Sequence, residues 1–105
     1  MLATTFLASV STTGEETFIV CRGEFDMAVV DRYRSAADEA FRGDPRHIHL
    51  DCSAVTFIDS LGLRALMHTA MRCRDGGILM TIDMSPQMRR LLDTVGATAL
   101  FTLAP

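Results

Sequence analysis

Three stretches of the chain place apolar residues at helical spacing, each opened by a capping residue and closed by glycine, and they alternate with short runs rich in β-branched and aromatic residues. No other feature restricts the fold as strongly. Strands linked through amphipathic helices lie parallel in one sheet, with the helices packed against it. Thr4 to Val10 and Thr17 to Gly23 read as strands around the turn Ser11-Thr12-Thr13-Gly14-Glu15-Glu16, which makes an antiparallel hairpin. Asp26 is an N-cap for a helix from about Met27 to Arg42, with Val30, Tyr33, Ala37, Ala40 and Phe41 on one face and Gly43-Asp44-Pro45 as its stop. His47 to Asp51 is the third strand, followed by a loop from Cys52 to Asp59. Ser60 opens a second helix with Leu63, Leu66, Met67 and Ala70 inward, ended by Gly76-Gly77. Ile78 to Asp83 is apolar almost throughout, as for a strand covered on both faces. Ser85-Pro86 starts a third helix with Met88, Leu91, Leu92 and Val95 as its stripe and Gly96 as its stop, and Ala99 to Leu103 reads as a final strand. The order β-β-α-β-α-β-α-β predicts an α/β fold: an N-terminal β-hairpin, then alternating units with a mostly parallel sheet and packed helices.

The 105 residues fit one domain over 1–105, and the 49% hydrophobic content is spread along the chain, enough for a core and against disorder. All ten basic residues are Arg, against thirteen acidic ones, for a net charge of −3. A balance without a basic stripe argues against nucleic acid as a partner. Met1 to Val10 lacks the positive start of a secretory signal, and no run reaches the ~20 apolar residues of a membrane span. A soluble, cytoplasmic protein with no membrane association is expected. Cys21, Cys52 and Cys73 are odd in number and form no C-x-x-C, so buried thiols are expected, with a redox pair as the lesser alternative.

Enzyme chemistry finds little support. There is no phosphate-cradling glycine loop and no G-x-S-x-G elbow. His47 and His49 would point to the same face of a strand, as a metal pair could, but no sequence motif completes the ligand set and no metal or other cofactor is expected. His68 reads as a polar-face helix residue. Asp26, Asp51, Asp59 and Asp83 could converge at strand ends, yet caps and loops explain them equally. The informative segment is Val55-Thr56-Phe57-Ile58-Asp59-Ser60-Leu61-Gly62-Leu63, where large apolar residues lead into an acid, a hydroxyl at a helix start and a glycine just inside the helix. Glycine there costs about 1 kcal/mol of helix stability relative to alanine. Either a close backbone approach requires it, or the segment is an ordinary Ser N-cap with a tolerated Gly.

Asp51 to Leu63 resembles the signature of STAS domains, specifically the bacterial anti-sigma factor antagonists. Three further matches follow in the right order: Gly23-Glu24-Phe25-Asp26 is similar to the family's G-E-[LIF]-D, Gly76-Gly77-Ile78-Leu79-Met80 to its G-G-x-L strand, and Ser85 to Gly96 to its S-P helix. The resemblance covers nearly the whole chain and implies a single STAS domain acting as a binding switch, not an enzyme. It implies that the unphosphorylated form binds an anti-sigma factor of the GHKL serine kinase type and so releases a sigma factor. The kinase would phosphorylate Ser60, and a serine phosphatase would reverse it. Partner contact is implied for Glu24, Phe25, Asp26, Asp59, Ser60, Leu61 and Gly62, with Gly62 giving the partner room to approach. A phosphate on Ser60 would add about −1.5 to −2 charge where free helix N–H groups could receive it, altering the surface and not the fold.

Two departures from the family pattern stand out. The residue after Ser60 is Leu61, where many members have a small polar one, and no C-terminal helix follows the last strand before Pro105. An exposed apolar edge and weak homodimerisation are expected from the second. One alternative is a STAS docking or scaffold subunit of a stressosome-like assembly or ABC lipid transporter, without a phosphorylation cycle. Another is a small α/β enzyme or nucleotide-binding domain using the aspartates, for which no motif is present.

Overall fold

The computed structural model describes residues 6–98 and 101. Its elements are β1 (Leu7–Thr13), β2 (Glu16–Phe25), a 3-10 turn (Met27–Val29), α1 (Val30–Arg42), β3 (His47–Ile58), α2 (Ser60–Asp75), β4 (Leu79–Met84) and α3 (Pro86–Thr94). The strands stand in the order β1-β2-β3-β4, with β1 antiparallel to β2 and the other neighbours parallel. This is the expected α/β architecture with an N-terminal hairpin. The strand expected over Ala99 to Leu103 lies mostly outside the described residues; Phe101 within it is a buried bend. Thr4 and Thr5 of the first strand also lie outside them.

The sheet buries one face. Ile19, Cys21, Ile48, Leu50 and Ile82 are nearly inaccessible and join Val30, Tyr33, Leu66, Met88 and Leu92 from the helices in one core cluster. Phe18, His47, His49 and Thr81 alternate with these residues and are only partly buried. Such alternation marks a sheet with one face toward the core and one toward water. Leu79 in β4 is 69% exposed and Asp83 is also exposed, so this strand is not covered on both faces as its apolar run predicted. It is an edge strand among the described residues.

β3 corrects a second expectation, because the segment read as a loop after Asp51 continues as strand to Ile58. Asp51 Oδ1 accepts from the Ser53 N–H at 3.1 Å and from its hydroxyl at 2.6 Å, the local bonding typical of a turn. Here it fixes an irregularity where the β2–β3 register shifts between Val20 and Arg22. The strand resumes beyond it, and a second shift falls between Gly23 and Glu24. These shifts carry β3 twelve residues, to the start of α2.

The helices follow their predicted spans, but α2 is rotated from the predicted stripe. Its buried positions are Gly62, Ala65, Leu66, Thr69 and Cys73, with Leu63, Met67 and Ala70 at the margin. Thr69 can face inward because its hydroxyl donates to the Ala65 carbonyl at 3.3 Å and accepts from the Tyr33 hydroxyl at 2.6 Å. In α3, Met88 and Leu92 are buried while Leu91 and Val95 are exposed. No helix among the described residues is long and apolar enough to cross a membrane.

Candidate functional site

The C-terminal ends of β2 and β3 lie side by side, with Phe25 paired to Ile58, and the chain leaves them into the 3-10 turn and α2. Strand ends of this kind, facing helix N-termini, are where open α/β sheets gather their functional groups. Asp26 caps the 3-10 turn, its Oδ1 accepting from the Ala28 N–H at 3.0 Å. Asp59, not Ser60, is the N-cap of α2: its Oδ1 accepts from the Leu61 and Gly62 N–H groups at 3.0 and 2.8 Å. Its other oxygen, Oδ2, accepts from the Met27 N–H at 2.9 Å. One carboxylate therefore ties the start of α2 to the segment that follows β2. The Asp59 N–H donates to the Phe25 carbonyl at 3.2 Å and closes the junction.

Ser60 is the first residue of α2 and is exposed. Exposed apolar side chains lie on the segments that meet at this junction: Met27 is 68% exposed, Phe57 50% and Leu61 37%. Glu24 is exposed beside Phe57 in the sheet register, and Arg64 is exposed one helical turn beyond Ser60. Met27, which directly follows Asp26, is not among the contact residues read from the sequence, and Phe57 is read there only as part of the apolar lead-in to Asp59.

Phe25 and Gly62 have a different place from the contact role the resemblance implied. Phe25 is fully buried, its ring 5.0 Å from those of Phe6 and Tyr33. A Cβ on Gly62 would sit 2.5 Å from the Phe25 carbonyl oxygen. Of the two readings of this glycine the close approach is the one found, and the neighbour that needs the room is the protein's own β2. Of the helix-start N–H groups expected to be free for a phosphate, those of Leu61 and Gly62 already donate to Asp59.

The four aspartates do not converge. Asp26 and Asp59 flank the junction, whereas Asp51 and Asp83 pair across β3 and β4. Cys21, Cys52 and Cys73 are free and buried. A hydrogen bond with Cys21, and then burial, pushes the Cys52 thiol well up; burial pushes Cys73 up to about 11, with the Arg72 charge opposing. Such thiols are poor nucleophiles at neutral pH. His68 is exposed on α2, as predicted. At the opposite end of β3, His47 and His49 share a face with Glu16 of β2, a third possible ligand that the sequence did not reveal.

Residues 8–103 match a family model described as "Mlab, STAS domain". Among solved structures, the chain is similar to an anti-sigma factor antagonist from Mycobacterium paratuberculosis, with 24% identity over 96% of this chain and 86% of that one and a TM-score of 0.84. It is similar to the Bacillus cell fate determinant SpoIIAA in its phosphorylated form, at 22% identity over 96% and 92% with a TM-score of 0.69. A sulfate transporter family protein from Wolinella succinogenes matches at 21% identity over 85% and 73%, with a TM-score of 0.71. No curated protein matches the sequence.

Proposed function

The chain belongs to the STAS domain family, and from that premise we propose that it is an anti-sigma factor antagonist, binding an anti-sigma factor of the GHKL serine kinase type and releasing a sigma factor, with phosphorylation of Ser60 as the off switch. The observation that carries this reading is an exposed hydroxyl at the first position of α2, next to a carboxylate that holds two segments together and among exposed Met27, Phe57 and Leu61. An apolar patch with a polar rim is a surface suited to a protein partner. The domain acts in the cytoplasm by being bound, and a serine phosphatase restores it. The likeness to SpoIIAA in its phosphorylated form supports the same reading.

Asp59 supplies the physics of the switch. A phosphate on Ser60 brings about −1.5 to −2 charge beside a carboxylate that already accepts from the helix start. Repulsion weakens the hold of Asp59 on the Met27 N–H, while Arg64, one turn along, offers the phosphate a cation. Glu24, Asp26 and Met27 then loosen together with the α2 start. The partner loses both the apolar contact and its fixed geometry.

Incubation with a GHKL-type anti-sigma kinase from the same source and Mg-ATP, followed by mass spectrometry, tests the proposal. One phosphate is expected on Ser60, none on Ser60→Ala, and Ser60→Asp should bind the kinase about a hundredfold more weakly, ~2.7 kcal/mol. An unmodified Ser60 together with undiminished binding by Ser60→Asp would sink it. The likeness to the sulfate transporter family protein favours a second reading, a docking subunit of a transporter. Co-purification with membrane transport subunits, unaffected by Ser60→Asp, would select it.

A further inference from the structure

A second cluster of chemically capable side chains lies on the water-facing side of the sheet, at the opposite end of β3 from Ser60. His47 and His49 lie on one face of β3; the β2–β3 register sets Glu16 opposite His47, and the β3–β4 register sets Thr81 opposite His49. The ligand atoms of Glu16, His47 and His49 all lie within 4.8 Å of one another. We propose that these three residues form a binding site for a borderline first-row divalent cation, zinc in particular, which fastens β2 to β3.

The donor set fits that ion. Two imidazoles and a carboxylate suit zinc and its neighbours, whereas magnesium and calcium require oxygen ligands. Ligand atoms around tetrahedral zinc, at ~2.0–2.2 Å from the metal, stand roughly 3.3 Å apart. His49 Nε2 and Glu16 Oε1 are 2.6 Å apart, so on that side the ion needs a small spreading of the pair, which the exposed Glu16 side chain can supply. A fourth position is left for water.

The rings are ordered but not yet convergent, because an imidazole binds a metal in its own plane and His47 must turn out of the stack for both lone pairs to meet one ion. His49 stacks between His47 at 3.8 Å and Phe18 at 4.6 Å. Its Nδ1 lies 2.8 Å from the Thr81 hydroxyl, which can accept a hydrogen bond from Nδ1–H when a metal takes the Nε2 lone pair; without the ion, Nε2–H donates to Glu16. His47 Nε2 has only a long 3.4 Å contact with the same hydroxyl, so its lone pair is poorly used without an ion. A single dication satisfies both rings and the carboxylate together, whereas two stacked imidazolium ions would repel.

The test is titration of tag-free, chelator-stripped protein with zinc chloride, followed by calorimetry and thermal unfolding, with magnesium chloride as the control. One zinc per chain is expected, with a rise in melting temperature that magnesium does not give. Affinity should fall at least tenfold in Glu16→Gln and in the double variant His47→Gln/His49→Gln, and by about tenfold in Thr81→Val, with the circular dichroism of the variants unchanged. Cobalt(II) should give visible bands without thiolate charge transfer. Absence of saturable binding, equal binding by the double histidine variant, or a thiolate band assigning the metal to the cysteines would each overturn the site.

Discussion

Gly62 shows how one residue can join two elements. Alanine in its place would gain about 1 kcal/mol of helix propensity, but its Cβ would stand 2.5 Å from the backbone oxygen of Phe25. Backbone in a buried junction cannot yield as a flexible side chain would, and overpacking of this kind costs typically ~1–3 kcal/mol. Gly62→Ala should therefore be net destabilising despite the better helix former, as a lower midpoint in urea unfolding. The sequence marks the glycine as either a point of close approach or a tolerated cost; the Phe25 carbonyl that decides between them comes from a strand 37 residues earlier, brought alongside only by the β2–β3 pairing. Asp59 was visible as an acid before a serine. Its reach to Met27 depends on the same junction.

At the scale of elements, local signals set the helices well. Ser85 and Pro86 mark the start of α3, and the buried Ser85 hydroxyl accepts from the Met88 N–H at 3.0 Å. Because α3 has only nine residues, its cap secures a large share of its backbone bonding. Ser85→Ala should cost about 1 kcal/mol of global stability, read as a shift in the denaturant midpoint at constant slope. The strands were less legible. Asp51 and Ser53 have turn chemistry, and nothing local says that the turn is an irregularity within a strand. The predicted stripe of α2 favoured Leu63 and Met67 by hydrophobicity, yet Thr69 takes a central place because Tyr33 pairs with its hydroxyl. That partner lies on another helix and leaves no trace in the α2 sequence.

For the whole molecule, the core contains titratable groups that resist ionisation. Burial raises Cys73 to about 11, and Cys52 and Tyr33 are raised in the same sense, the former by its bond with Cys21 and then burial, the latter chiefly by burial. In the unfolded chain these groups ionise first, so the stability they confer is complete below pH ~9 and is lost as pH rises through the folded value of Cys73. One such thiol contributes a slope of at most about 1.4 kcal/mol per pH unit. Unfolding free energies measured from pH 8 to 11 should fall, and Cys73→Ala should flatten part of that fall, beyond any constant loss from the smaller side chain. Local sequence was enough for the order of elements through α3, the α/β class, the caps at Asp26 and Ser85 and the stretch around Ser60, because each depends on residues within a turn or two of one another. Which distant residues meet was visible only in the folded chain: the Phe25 carbonyl at Gly62, Met27 at Asp59, and Glu16 with His47 and His49. The physical reason is register. A shift of one residue in a strand turns every side chain to the other face, and at the Ser60 end of β2 and β3 that register follows irregularities whose local signature is that of a loop.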